Sequence, residues 1–298
     1  MNSFLTGTFT ALVTPLRDDQ VDAQALRALV QYQLENGVKG LVPVGTTGEA
    51  VTLTEAERDE VIALTLEAAG GRAPVLAGVG SNDTRLTIAA AKRAQALGAQ
   101  GLLVVTPYYN KPTQEGMFRH FAAVAEAVDI ELCVYNVPGR TGVNLEPATM
   151  ARLLSIPNIT GIKDATGNLM VASELSLKAG ERMRAMSGDD FTTLGYLAQG
   201  GHGVISVASN VDPRRMSGLV DAALKGDFVT ARRLHFQLYA LFQVLFVESN
   251  PIPVKYALSR MGLMREERRL PLCPPSESTA RRMDDVLSAL ELLPVQGA

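Results

Sequence analysis

The sequence has 298 residues, of which 47% are hydrophobic and 20% charged, so it can form a large core and lacks the composition of a disordered chain. Its 28 basic and 31 acidic residues give a net charge of −3 without a basic run, which argues against a nucleic-acid partner. Gly, Pro or a charge interrupts each apolar segment before it could span a bilayer, and residues 1–5 lack the features of a secretory signal.

The reactive residue types give little support for disulfide or metal chemistry. The two cysteines, Cys133 and Cys273, are too few for a disulfide framework and are expected to be thiols in a reducing compartment. The three histidines are far apart along the chain and have no metal-ligand spacing. We therefore expect a cytoplasmic protein without a metal or other cofactor, whose partners include neither nucleic acid nor a membrane.

Short apolar runs alternate with amphipathic segments along most of the chain. Asp22 is placed to cap the first predicted helix, and Thr54 with Glu57 forms a capping box that predicts the start of the second. Further helices are predicted at 84–97, 114–127, 146–153, 168–179 and 190–199. Strands are predicted at 9–15, 40–44, 74–78, 101–105, 131–135, 159–163, 183–187 and 203–206.

The predicted strands are continuous apolar runs, which is typical of a parallel sheet covered by helices. Eight such strands predict an α/β fold of the (β/α)8 TIM barrel type, which usually takes about 250 residues. The alternative is an open doubly wound sheet, but no Gly-x-Gly-x-x-Gly motif follows the first strand. We predict that residues 1–225 form the barrel with the active site, and that 226–298 form a C-terminal helical region packed on it, broken at 250–253.

Polar side chains follow four of the predicted strands, at the end of a TIM barrel where active sites form. Taken alone, each of these residues could have an ordinary structural role: a glycine-containing turn, a packed aromatic side chain, a solvated arginine or a lysine at the end of a strand. Their joint occurrence at one rim favours a binding site. In chain order they are Thr46 and Thr47, then Tyr108 and Tyr109, then Tyr135 and Arg140, and finally Lys163.

Lys163 ends an apolar run and precedes a Gly/Asn turn. Partial desolvation of a lysine disfavours its ammonium form, and the neutral amine can form a Schiff base with a keto acid. The glycines and threonines of residues 45–49 could bind a small anion, and Arg140 could bind a carboxylate with two parallel hydrogen bonds.

Three motifs, in this order, resemble the pyruvate-dependent class I aldolase family, which includes N-acetylneuraminate lyase and dihydrodipicolinate synthase. They are Gly-Thr-Thr-Gly-Glu at 45–49, Tyr-Asn-Val-Pro-x-Arg-Thr-Gly at 135–142 and Gly-Ile-Lys-Asp at 161–164. The resemblance covers nearly the whole chain, including 187–190, 200–206 and 250–255. The paired threonines, the tyrosine pair and Arg140 resemble the dihydrodipicolinate synthases, because neuraminate lyases tend to carry Ser-Thr and a leucine at these places.

The resemblance implies a lyase that joins pyruvate to L-aspartate 4-semialdehyde, giving 4-hydroxy-tetrahydrodipicolinate in diaminopimelate and lysine biosynthesis. A Schiff base on Lys163 would become an enamine that attacks the aldehyde. The implied catalytic residues are Lys163, Tyr135, Thr46 and Tyr109 of a neighbouring subunit. The implied substrate-binding residues are Thr47 for the pyruvate carboxylate, Arg140 for the semialdehyde carboxylate, Ile205 as a wall of the pocket and Gly188 as the residue that leaves it room.

The resemblance further implies a homotetramer built as a dimer of dimers. It also implies weak or absent inhibition by lysine, because Ala50, Glu55, Arg58 and Leu86 depart from the pattern of lysine-inhibited relatives. Two alternatives stay open. One is another Schiff-base pyruvate lyase, such as a 2-keto-3-deoxy sugar-acid aldolase, and the other is a non-catalytic small-molecule-binding homologue.

Overall fold

Strands and helices alternate through a computed structural model that describes residues 3–293. The strands are β1 (Gly7–Ala11), β2 (Leu16–Arg17), β3 (Gln20–Val21), β4 (Gly40–Val42), β5 (Leu76–Gly78), β6 (Gly101–Val105), β7 (Glu131–Asn136), β8 (Ile159–Asp164), β9 (Arg184–Ser187) and β10 (Gly203–Ser206). The helices are α1 (Ala23–Glu35), α2 (Glu55–Ala69), α3 (Thr84–Leu97), α4 (Gln114–Glu126), α5 (Pro138–Thr141), α6 (Pro147–Leu153), α7 (Leu169–Ala179), α8 (Thr193–Ala198), α9 (Pro213–Leu224), α10 (Phe228–Leu245), α11 (Ile252–Arg260) and α12 (Glu277–Ala289).

Within the described residues, eight parallel strands form one sheet in the order β4-β1-β10-β9-β8-β7-β6-β5. A parallel bridge between Leu41 and Val75 joins its two edges, so the sheet closes into a barrel. The helices surround the strands and cover their apolar outer faces, as continuous apolar strands require. The predicted TIM barrel is confirmed, and the carboxyl ends of all eight strands therefore meet at one rim.

Local signals place the first helices where the sequence predicts them. The Asp22 carboxylate accepts the backbone N–H of Ala25 at the start of α1. At the start of α2, Thr54 Oγ1 accepts the N–H of Glu57, and the Glu57 carboxylate accepts the N–H of Thr54. Both predicted caps are confirmed, because each satisfies helix N–H groups that have no partner within the helix.

Several elements were absent from the predictions, among them the β2–β3 hairpin and α11. The β2–β3 hairpin turns through Asp18 and Asp19, both with positive φ, and lacks the glycine that usually marks such a turn. Residues 250–253 do interrupt the helical pattern, as predicted, yet they also start α11. Pro251 and Pro253 lie at its first positions, where a missing N–H costs no helical hydrogen bond.

The C-terminal helices pack against the barrel through a shared apolar cluster. It joins Val204 of β10 and Leu219 of α9 to Leu241 of α10, Leu258 of α11 and Met283 of α12. The domain boundary predicted between residues 225 and 226 stays a prediction. Residues 294–298 of the predicted C-terminal region lie outside the described residues. Residues 1–2, part of the segment that was searched for a secretory signal, also lie outside them. In the part of the chain that is described, no helix is both long and apolar enough to cross a bilayer.

Candidate active site

A cavity of about 270 Å³ opens at the carboxyl ends of the barrel strands. A neighbouring cavity of about 230 Å³ shares part of its wall and extends to Tyr108 and Thr141. Because both lie at the rim where the predicted site residues converge, the barrel brings side chains from distant parts of the chain together. Six predicted residues line the larger cavity: Thr46, Thr47, Tyr135, Arg140, Lys163 and Gly188.

Lys163 lies on β8 between Tyr135 of β7 and Met186 of β9. The side chain is buried, and its Nζ atom lies 4.3 Å from the centre of the Tyr135 ring. The amine and the phenol therefore belong to one face of the cavity. The arrangement brings a residue type that can act as a nucleophile next to one that can transfer protons.

Gly188 leaves the space that the Lys163 side chain occupies. A Cβ atom at residue 188 would lie 2.8 Å from the Cβ atom of Ala165, and 3.0 and 3.1 Å from the Cγ and Cε atoms of Lys163. The Gly188 N–H donates to the carbonyl of Asp164 over 2.7 Å, so the backbone has little freedom to move away. Any larger residue here would displace the lysine.

The loop after β4 turns sharply before it presents its threonines. Val44 has a φ of 57°, which is a strained conformation for a β-branched residue. A Cβ atom on Gly48 would lie 3.1 Å from the carbonyl oxygen of Leu12, so this glycine permits a close backbone approach. As a result Thr47 is buried and Thr46 is half-buried at the cavity wall.

Asn250 connects the two groups that the sequence assigns to carboxylate binding. Its side-chain Nδ2 atom donates to Thr47 Oγ1 over 2.9 Å, and its backbone carbonyl accepts from Arg140 Nη2 over 3.1 Å. Arg140 lies on the short helix α5, which Pro138 begins and Gly142 ends with a φ of 74°. The hydroxyl and the guanidinium are thus fixed relative to each other through one residue of the C-terminal region.

Tyr109 and Ile205 lie away from this cavity. Tyr109 is 88% exposed and has a φ of 73°, with its backbone N–H donating to the carbonyl of Thr141 over 3.4 Å. Ile205 is buried in the apolar interior of the barrel, in a cluster with Met186 and Tyr135, rather than among the described residues that line the cavity. The structure therefore brings six predicted residues together and leaves these two apart from them.

Comparison with known sequences agrees with this geometry. The profile of the dihydrodipicolinate synthetase family matches residues 4–290. The chain belongs to this family.

Individual members of the dihydrodipicolinate synthetase family are similar over nearly their whole length. The 4-hydroxy-tetrahydrodipicolinate synthase of Nitratidesulfovibrio vulgaris (strain Miyazaki F) is 52% identical over 284 residues, which are 95% of this chain and 97% of that protein. The structure of the chloride-inhibited dihydrodipicolinate synthase of Acinetobacter baumannii, complexed with pyruvate, has a TM-score of 0.95 and 44% identity, covering 97% of this chain and 100% of that chain. The lysine-bound enzyme of Cyanidioschyzon merolae has a TM-score of 0.95 and 38% identity, covering 98% and 100% of the two chains.

Two carboxylates and one amide at or next to the cavity, those of Asp189, Asp190 and Asn250, were not among the predicted site residues. Asp189 lines the cavity, and its Oδ1 atom accepts the N–H of Phe191 over 3.0 Å. Asp190 lies behind it, where its carboxylate accepts the N–H groups of Val207 and Ala208. Burial raises the pKa of Asp190 to about 6.

The only sequence signal for these residues was the resemblance at 187–190 and 250–255. Neither motif carries a residue type that by itself indicates a role. Asp190 stabilises the turn after β10, and Asn250 reaches the cavity because of how the C-terminal helices pack. Both contacts depend on tertiary structure, so residue patterns alone do not reveal them.

Proposed function

We propose that this protein is a Schiff base-forming lyase that condenses pyruvate with L-aspartate 4-semialdehyde to give 4-hydroxy-tetrahydrodipicolinate. This is a step of diaminopimelate and lysine biosynthesis. The observation that carries the proposal is the buried Lys163 amine beside Tyr135, in a cavity that Thr47 and Arg140 also line. Membership of the dihydrodipicolinate synthetase family supports the same reaction.

The reaction begins when the Lys163 amine attacks the keto carbon of pyruvate. Loss of water gives an imine, and loss of a methyl proton gives an enamine. The enamine carbon then attacks the aldehyde of the second substrate, and cyclisation of the product releases the lysine. Tyr135 donates and accepts the protons of these steps. A phenol ordinarily keeps its proton at neutral pH, so this role needs a path for proton transfer. Thr46 and Tyr109 of a neighbouring subunit provide that path from the phenol to solvent.

Carboxylate recognition is divided between two parts of the rim. The Thr47 hydroxyl and nearby backbone N–H groups bind the pyruvate carboxylate, at the end of the cavity close to Lys163. Arg140 binds the carboxylate of the semialdehyde with its planar guanidinium. Gly188 leaves room for the Schiff base, and Ile205 supports the pocket from the barrel interior.

The working assembly is a homotetramer, a dimer of dimers, in the cytoplasm. The exposure of Tyr109 supports a subunit interface at this tip of the barrel, because contact with a partner would bury the ring. A two-fold dimer gives both subunits the same contact, so each tyrosine completes the other subunit's site.

Borohydride reduction in the presence of pyruvate tests the proposal. The expected result is a reduced pyruvyl adduct on the peptide that contains Lys163. Lys163→Arg should abolish the adduct, because a guanidinium stays protonated and does not attack. Lys178→Arg is the matched control, since Lys178 is an exposed lysine of the following helix, and it should leave the adduct intact.

A second assay identifies the electrophile. The pyruvate-loaded enzyme is offered L-aspartate 4-semialdehyde and, separately, sugar-derived aldehydes. Turnover of the semialdehyde is expected, because Arg140 recognises a short carboxylate-bearing substrate. Preference for the sugar aldehydes would overturn this assignment, and an adduct on a different peptide would overturn the role of Lys163.

A further inference from the structure

A buried ion pair lies directly behind the threonines of loop 45–49. Glu49 has a φ of 55°, and its backbone N–H donates to the carbonyl of Thr46 over 3.1 Å. Its carboxylate pairs with the amine of Lys255 on α11, and both side chains are almost completely buried, at 1% and 0% exposed. The other carboxylate oxygen accepts the N–H of Arg269 over 3.2 Å. The pair is therefore one hydrogen bond from the cavity wall.

The same short segment of chain contacts the loop at a second point. Asn250, two residues before α11, donates to Thr47 Oγ1 over 2.9 Å, while Lys255 in the first turns of α11 pairs with Glu49. Residues 47 and 49 of the loop are thus both fixed to residues 250–255. Because Lys255 lies in α11 and Asn250 only two residues before that helix, the two contacts together constrain where the loop lies relative to the barrel.

Stability alone does not account for two charges in this position. Replacing a buried ion pair by well-packed apolar residues is often neutral or stabilising, because desolvation offsets the attraction between the charges. A charged pair does, however, impose a defined geometry on the groups that carry it.

We propose that Glu49 and Lys255 form a positioning pair that sets the conformation of Thr46 and Thr47 for binding of the pyruvate carboxylate. This inference rests on the proposed function.

The surroundings of the pair make it sensitive to the loss of one partner. Burial lowers the pKa of Lys255, and the negative charge of Glu49 opposes that shift. Arg268 and Glu267 are further charged groups that act on Lys255, while the Arg269 guanidinium is engaged by other acidic side chains. Removing either member of the pair leaves the other as a buried charge that has lost its partner.

Two single substitutions test the proposal. The readout is the pyruvate concentration that gives half-maximal borohydride trapping on Lys163, relative to wild type. Lys255→Met leaves a buried carboxylate and Glu49→Gln leaves a buried ammonium, and each should raise this concentration at least about tenfold when the remaining group is charged. Because burial lowers the pKa of Lys255, the defect of Glu49→Gln should grow as the pH falls and more of the amine becomes charged.

The double variant Glu49→Gln/Lys255→Met carries neither charge, so it should fold even where a single variant does not. We expect its half-saturating pyruvate concentration to be about threefold or more above that of wild type, with no pH dependence of the ratio. The matched control is Arg215→Met, which breaks a partly buried ion pair with Asp212 on α9. It should lower Tm and leave pyruvate binding unchanged.

The proposal is overturned if the folded variants lose Tm while their half-saturating pyruvate concentration stays at the wild-type value. The pair would then stabilise the fold without positioning the loop. A wild-type protein that forms no adduct is a different result, because it contradicts the proposed function itself.

Discussion

Two segments of the barrel rim serve the proposed reaction, and they are stabilised in opposite ways. Loop 45–49 is buried and hydrogen-bonded to the C-terminal region at Thr47 and at Glu49. The tip that follows β6 instead places Tyr109 in solvent, 88% exposed, in a left-handed backbone conformation. Both segments follow barrel strands, so their position in the fold does not explain the difference.

The proposed function accounts for this difference by where each side chain would act. Under that proposal, Thr46 and Thr47 serve pyruvate within their own chain, so folding alone can fix them before any substrate arrives. Tyr109 would act in another subunit, so its contacts would form at assembly. Under the same proposal, the exposed aromatic side chain of Tyr109 marks a subunit interface rather than a loose loop.

The largest effect is expected at Tyr109. Tyr109→Phe keeps the ring and removes the hydroxyl, so the proton path fails and kcat should fall by about 10²-fold or more. Lys163→Ala should be inactive because it lacks the nucleophile. When the impaired Tyr109→Phe chain and the inactive Lys163→Ala chain are mixed and allowed to exchange subunits, hybrid dimers should regain one site with both residues intact.

Tyr108→Phe is the matched control for this experiment, because Tyr108 lines the smaller cavity of its own chain. Its mixture with Lys163→Ala should regain no more activity than dilution of Tyr108→Phe explains. If hybrids of Tyr109→Phe and Lys163→Ala form, as shown by native mass, yet stay inactive, Tyr109 acts within its own chain. The comparison between the two segments would then be wrong.

A smaller and more selective effect is expected at Arg140. Arg140→Lys keeps the charge but loses the planar pair of donors, and a charge-assisted hydrogen bond contributes about 1.5–3 kcal/mol. The KM for aspartate semialdehyde should rise about tenfold or more, while half-saturating pyruvate in borohydride trapping stays within about twofold.

Arg152→Lys is the control for Arg140, since Arg152 is a surface arginine paired with Glu115. It should change neither substrate constant. An equal loss of pyruvate binding in Arg140→Lys would show that Arg140 acts on Thr47 through Asn250 rather than on the second substrate.

Lysine inhibition is expected to be weak or absent. The side chain of Leu86 is 55% exposed and offers no carboxylate to a ligand ammonium group. Glu55, the substitute carboxylate in this region, already faces Arg93 over 3.4 Å. We therefore expect half-inhibition above about 1 mM lysine, measured at fixed concentrations of both substrates.

Introducing the missing charge sharpens this prediction. Leu86→Glu should lower the half-inhibiting lysine concentration by about tenfold or more. Leu97→Glu adds the same charge at the other end of α3, so it serves as a control and should have no effect. Inhibition of the wild-type protein below about 1 mM would show that other residues have replaced the carboxylate.

The barrel was predictable because its signals are local. Apolar runs, caps and glycines mark each strand and helix, and barrel topology then brings the strand ends together, which is why Lys163, Tyr135 and Thr47 were found. Asn250 and Lys255 belong to a segment that carries the family resemblance, but they were not predicted as site residues, because they contact the loop from 203 and 206 residues away in the sequence. Such contacts depend on how the C-terminal helices pack, and no local pattern encodes that packing.

The smallest expected effect concerns Arg269, which lies beyond the Glu49–Lys255 pair. Its guanidinium donates to both carboxylate oxygens of Glu57 and to the backbone carbonyl of Thr52. Hydrogen bonds from Arg269 lower the pKa of Glu57 to about 2. A carboxyl group whose pKa is lower in the folded state stabilises the protein above its unfolded-state pKa, and that stabilisation is lost as the pH falls towards the folded-state value. Because the pair is partly exposed and screened by solvent, we expect it to contribute about 1 kcal/mol or less.

Glu57→Gln should therefore lower Tm slightly at neutral pH, and the difference from wild type should narrow as the pH falls from about 5 towards 2. Glu55→Gln is the matched control, because Glu55 is exposed and lies in the same helical turn. Its ion pair with Arg93 spans 3.4 Å, compared with 2.6 Å between Glu57 and Arg269. A Tm difference that stays constant over this pH range would show that the Glu57 contact depends on packing rather than charge. Pyruvate binding should be unaffected in either case, because this contact lies beyond Glu49 and Lys255, to which we assign the positioning of the loop.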